Sequence, residues 1–135
     1  MLKPTIEFDG ARFNTLDGFW DEISARLIPG ARWGRNLDAF NDVLRGGFGT
    51  PAVGFRLRWV NFQRSRDALG HSGTIQWLEN KIQLCHPDNI ELVKREIESA
   101  RHGEGPTLAD ILLDMIRIHC PGGIEEKDGI ELVLV

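Results

Sequence analysis

Asp38 and Asp42 stand four residues apart in the run Leu37-Asp38-Ala39-Phe40-Asn41-Asp42-Val43-Leu44-Arg45. That spacing sets both carboxylates on one face of a helix, one turn apart. Two carboxylates so placed can hold the guanidinium or ammonium groups of a basic partner through charge-assisted hydrogen bonds. Leu37, Phe40 and Leu44 share a different arc of the same helix, while Arg35 and Arg45 fall on the acidic one. The same spacing also describes an ordinary solvated face. On that reading Arg35–Asp38 and Asp42–Arg45 are surface pairs, and Asp38 suits the positive end of the helix. Acid–base catalysis finds no local support, because no His, Cys or Ser accompanies the two acids in a triad-like motif.

Other residues invite chemistry less well. Arg56, Arg58, Arg64 and Arg66 surround Trp59 and Phe62, and basic side chains beside aromatics can grip a single nucleic-acid strand. An RNA-binding or other interaction module built on these arginines is therefore the alternative function. Alternation, however, puts Arg56 and Arg58 opposite Phe55 and Leu57, as on the solvent side of a strand. Cys85-His86 and His119-Cys120 hint at zinc, but each pair is adjacent in sequence instead of at a ligand-converging spacing, so no metal is expected. Gly46-Gly47-Phe48-Gly49 precedes a strand, the wrong order for a phosphate cradle, and reads as a turn. Trp33 is either an interface anchor or a lid over the core, and Gly34 beside it could supply a positive-φ turn. Trp20, Trp59 and Trp77 lie on apolar stripes and read as core.

Elements must position these groups. Pro4–Phe8 alternates as a short strand before the turn pair Asp9-Gly10. Thr15 caps a helix carrying Leu16, Phe19, Trp20, Ile23 and Leu27, and Pro29-Gly30 stops it. Asn36 caps a second helix over 37–45. Residues 52–60 read as a strand, and Phe62–Leu69 as a short helix. Residues 74–85 and a helix opened by Asp88 follow, then an amphipathic helix started by Thr107. The terminal Ile130–Val135 reads as a strand buried on both faces. Strands separated by helices predict a parallel α/β sheet of three strands flanked by helices.

The chain has 135 residues, 41% hydrophobic and 27% charged, which suits one folded domain over 1–135 and not a disordered segment. No apolar run is long enough to span a membrane, and the N-terminus has no leader-like apolar region. With two cysteines a reducing cytoplasm is the expected location. Residues 1–67 carry ten basic and eight acidic side chains, whereas 68–135 carry six and twelve. The net charge of −4 disfavours bulk nucleic-acid binding and suits a basic partner.

The run Trp33-Gly34-Arg35-Asn36-Leu37-Asp38-Ala39-Phe40-Asn41-Asp42 resembles the barstar family, whose pattern is aromatic, Gly, any, Asn, Leu, Asp, Ala, apolar, any, Asp. Every fixed position is filled. The order of elements agrees outside residues 71–106, which read as an inserted helical pair. The resemblance implies a barstar-like fold, no enzymatic activity and no cofactor. It implies an intracellular immunity protein that binds a cognate ribonuclease and blocks its basic cleft with acidic helix residues. The binding set it implies is Arg32, Trp33, Gly34, Arg35, Asn36, Asp38, Asn41, Asp42, Arg45 and Gly46. Arg32 stands where barstar has a tyrosine, Arg35 where it has an acid, Asn41 where it has a tryptophan, and Gly47 where it has an aromatic. Two of these changes add positive charge, implying a partner cleft that differs from that of barnase.

Overall fold

Strands and helices follow one another as β1 (Thr5–Asp9), α1 (Leu16–Arg26), α2 (Leu37–Arg45), β2 (Arg56–Val60) and α3 (Phe62–Ala68). The second half holds α4 (His71–Leu84), α5 (Ile90–Arg101), α6 (Leu108–Ile118) and β3 (Glu131–Leu134). This computed structural model describes residues 3–135; Met1 and Leu2, which open the stretch read as lacking a leader, lie outside the described residues. No helix among the described residues is long and apolar enough to cross a membrane.

The helices begin where the caps predict. Thr15 Oγ1 accepts from the Gly18 amide at 3.1 Å and Asn36 Oδ1 from the Ala39 amide at 2.8 Å. At α6 the cap is reciprocal: Thr107 accepts from the Asp110 amide at 3.2 Å, and Asp110 accepts from the Thr107 amide at 3.0 Å. The helix expected over 74–85 starts earlier, at His71, and the one opened near Asp88 begins as a 3-10 turn, Pro87–Asn89.

The three strands are parallel in the order β1-β2-β3, so β2 is central. The register aligns Phe8 with Trp59 and Trp59 with Leu134, and aligns Ile6, Leu57 and Leu132 one step away. These residues share one face by the two-residue period of a strand. Phe8, Leu57 and Trp59 on it are fully buried with Phe19, Ile23, Phe40, Leu44, Leu112 and Ile116 from the helices. The other face carries an ionic ladder, Arg58 on Glu7 at 2.6 Å and Arg56 on Glu131 at 3.2 Å.

Two strand expectations are corrected. The central strand begins at Arg56, not at residue 52, because Gly54 takes a left-handed φ of 87° and lies against the Gly129 backbone. The terminal strand is not buried on both faces. It is an edge of the sheet, half-buried over Glu131–Val133 and exposed at Leu134, because β2 takes the centre.

The pair α4 and α5, expected as an inserted unit, packs around its own small cluster of Leu78, Val93 and Ile97. Trp77 touches both this cluster and the main core, and is half-buried instead of fully buried as its stripe suggests. One further tie fastens the pair: the Leu108 amide of α6 donates to Thr74 Oγ1 of α4 at 2.8 Å, while the Ala109 amide, on the Leu69 carbonyl at 3.1 Å, joins α6 to the end of α3.

Candidate protein-binding site on α2

The helix α2 presents two contrasting faces. Phe40, Val43 and Leu44 are buried in the core. Asp38 and Asp42 are exposed on the other side. Both ends of the helix are closed, Asn36 at the start and Gly46 at the end. Gly46 has a left-handed φ of 100°, and its amide donates to the Val43 carbonyl at 3.0 Å. An anchored helix with closed ends fixes the backbone positions from which its outward carboxylates project, which limits the ordering needed on meeting a rigid partner.

The residues leading into α2 are largely exposed: Arg32, Gly34, Arg35 and Asn36 lie at the surface. Trp33 is half-buried, edge-on to Trp20 at 5.4 Å, and its indole N–H donates to Ser24 Oγ at 2.7 Å. Those contacts favour the lid over the free anchor. The positive-φ residue is not Gly34 but its neighbour Arg35, at φ 51°. A left-handed conformation costs a non-glycine residue roughly 1–2 kcal/mol. Arg35 here donates to the Asp17 carbonyl at 3.3 Å and reaches Asp21 of α1 at 2.7 Å. The expected Arg35–Asp38 pair is therefore replaced by Arg35–Asp21.

At the far end of α2 the expected Asp42–Arg45 pair forms, with N–O 2.8 Å. Arg45 also grips Glu125, which no motif singles out. Its Nε and Nη2 donate to the two carboxylate oxygens at 2.9 and 3.1 Å, a two-pronged match of guanidinium and carboxylate. These hydrogen bonds hold the Glu125 carboxyl below its usual range, and Glu125, ahead of Asp42, pushes the Arg45 guanidinium up.

Asn41 is half-buried. Its Oδ1 lies 2.6 Å from Nε2 of His119, whose other ring nitrogen meets Asp128 at 2.7 Å. His119 is wholly buried, so both of its ring nitrogens need these partners. Beside Cys120 and Pro121 this histidine reads only as a helix terminus, and nothing local in the sequence points to its two partners. Donor atoms of His119, Glu125 and Asp128 lie within 4.8 Å of one another, the only group of three such ligands among the described residues. The Arg45 guanidinium on Glu125 already brings the positive charge that a cation would supply there. Neither cysteine joins the group. Both thiols are free, and burial pushes that of Cys120 up.

The arginine cluster of the alternative reading is largely spent within the protein. Arg56 and Arg58 are held by Glu131 and Glu7, and Arg66 lies over the Phe62 ring at 5.1 Å. Trp59 and Phe62 are buried and offer no stacking surface to a base.

No curated protein matches the chain. Residues 3–84, from the start of the described chain to the last residue of α4, match the family model described as Barstar (barnase inhibitor). This match covers more than half of the sequence, the parallel three-stranded sheet flanked by helices is consistent with it, and the chain belongs to the barstar family.

Proposed function

We propose that this protein binds a cognate ribonuclease one-to-one and closes its active-site cleft with the carboxylates of Asp38 and Asp42. Barstar-family proteins are inhibitors and not enzymes, and a ribonuclease is the partner that family membership implies. The observation that carries the mechanism is the pair of exposed acids one turn apart on a helix anchored by Phe40, Val43 and Leu44. A ribonuclease cleft binds RNA phosphates with cationic side chains, and carboxylates at fixed positions can occupy those phosphate sites. Close charge pairs in the barnase–barstar complex are the standard example of such electrostatics, and they set the scale of what one pair can contribute. Asn36, Gly34 and Gly46 shape the ends of the helix on this reading, with Arg32 and Arg35 at the rim.

The test is capture from a lysate of the source organism on the immobilised protein, followed by a ribonuclease assay of what is retained, with and without added free protein. The expected result is a retained ribonuclease whose activity falls to zero at equimolar inhibitor. Retention of non-nucleases alone, or a bound ribonuclease that stays active, overturns the proposal.

A further inference from the structure

On the α2 face, Arg35 and Arg45 bracket Asp38 and Asp42, and counted alone these four charges cancel. A neutral face has no long-range pull on a cationic cleft. The fold changes this balance. Asp21 of α1 takes Arg35 at 2.7 Å, and Glu125, on the segment before β3, takes Arg45 through two hydrogen bonds. The six side chains together carry two positive and four negative charges, a net of −2.

We infer that Asp21 and Glu125 are positioning residues that set the sign of the binding face, by taking up the two arginines that would otherwise repel a cationic partner. The inference rests on the ribonuclease reading above and adds to it two residues from outside the motif. Glu125 also lies outside the matched stretch. Its role is the more demanding one. Arg45 bonds Asp42 through Nη1 while Nε and Nη2 stay on Glu125. A partner cation arriving at Asp42 has to displace one hydrogen bond, and the arginine then remains held by the other two. Without Glu125 the same arginine stays on Asp42 as a competitor or swings free as a like charge beside the incoming cation. Asp21 does the equivalent at the other end of the helix, drawing Arg35 back across α1 and away from Asp38.

The test uses the full-length chain with two probes, barnase and the ribonuclease retained in the capture experiment. Association and dissociation rates are measured at two salt concentrations. The variants are Glu125→Gln, Asp21→Asn, Arg45→Ala, Arg35→Ala and the pairs Arg45→Ala/Glu125→Gln and Arg35→Ala/Asp21→Asn. Each acid variant is expected to slow association about three- to tenfold at low salt, with the difference shrinking at high salt as charges are screened. Each arginine variant should bind as tightly as wild type or tighter, and in its background the acid substitution should slow association by clearly less than it does in the wild type. Thermal midpoints serve as the folding control. If Glu125→Gln does not fold, Glu125→Asp, too short to grip both guanidinium nitrogens, replaces it. A loss that persists undiminished in the arginine-free background means the acids touch the partner themselves and overturns the inference. So does an unchanged association rate in both acid variants. Either result leaves the ribonuclease reading intact, whereas a wild type that binds neither probe defeats that reading and the inference together.

Discussion

Asp42 lies midway along α2 with its side chain 58% exposed, held only by Arg45. If it enters a cationic cleft, Asp42→Ala leaves partner cations buried and unpaired. The expected loss of binding is then ~2–5 kcal/mol, mostly as faster dissociation. Asp38→Ala should cost a similar amount of affinity. It should also lower stability by a few tenths to about 1 kcal/mol, because Asp38 sits in the first turn where the helix dipole favours an acid. Titrating each variant against the captured ribonuclease, with a parallel denaturant melt, separates the two effects; unchanged affinity for Asp42→Ala sinks the plug mechanism. His119 makes a different kind of contribution. Replacing this buried ring by alanine strips Asn41 and Asp128 of their partner, and each unsatisfied polar group costs ~1–3 kcal/mol. His119→Ala should therefore destabilise the fold in urea, whereas His119→Ala with wild-type stability would mean that the network does not hold α2 in place.

At the scale of elements, α6 depends on its first turn. Thr107 and Asp110 cap each other's amides, and the Thr107 amide bond pulls the Asp110 carboxyl below its ordinary value of 3.8. Thr107→Ala should cost ~1 kcal/mol, the usual worth of such a cap. A carboxyl lowered in the folded state contributes stability that is fully present above its unfolded value. That contribution is lost as pH falls through the lower folded value, so the Asp110 share disappears only below pH 3.8. Stability curves of wild type and Asp110→Asn should then converge below that pH and stay apart above it. Parallel curves throughout would assign the cap to geometry alone. The helix α2 is closed in the same style by Asn36 and Gly46, which is why its length is legible to the residue.

Across the whole molecule, two apolar clusters meet at Trp77. The larger one holds the sheet, α1, α2 and α6; the smaller one lies between α4 and α5. A hydrogen bond from the Leu108 amide of α6 to Thr74 of α4 joins the two groups of elements. A bridging aromatic and shared hydrogen bonds couple neighbouring units in unfolding. The chain is thus expected to melt as one unit, with far-UV dichroism and tryptophan fluorescence giving coincident midpoints. A separate early transition of helical signal would show that α4 and α5 unfold on their own. Trp77→Ala should then be the substitution that splits a single transition in two.

Local signals determine much of this protein without help from the fold. Caps at Thr15, Asn36 and Thr107 act within three residues, and apolar periodicity within a turn or two, so helix positions and the acidic face of α2 are readable directly. Alternating strands and helices are enough to predict the parallel sheet. The terminal strand misleads about its own burial, because an apolar run reports hydrophobicity and not a strand's place in the sheet order. The partners of the site are beyond reach for a related reason. Arg35 finds Asp21 across 14 residues, Arg45 finds Glu125 across 80, and Asn41 finds His119 across 78. Charges and hydrogen-bond donors are indifferent to sequence distance, and no spacing rule connects them. Only the packing of α1, α2 and the segment before β3 decides which acid each arginine meets, and with it the charge of the face that α2 presents.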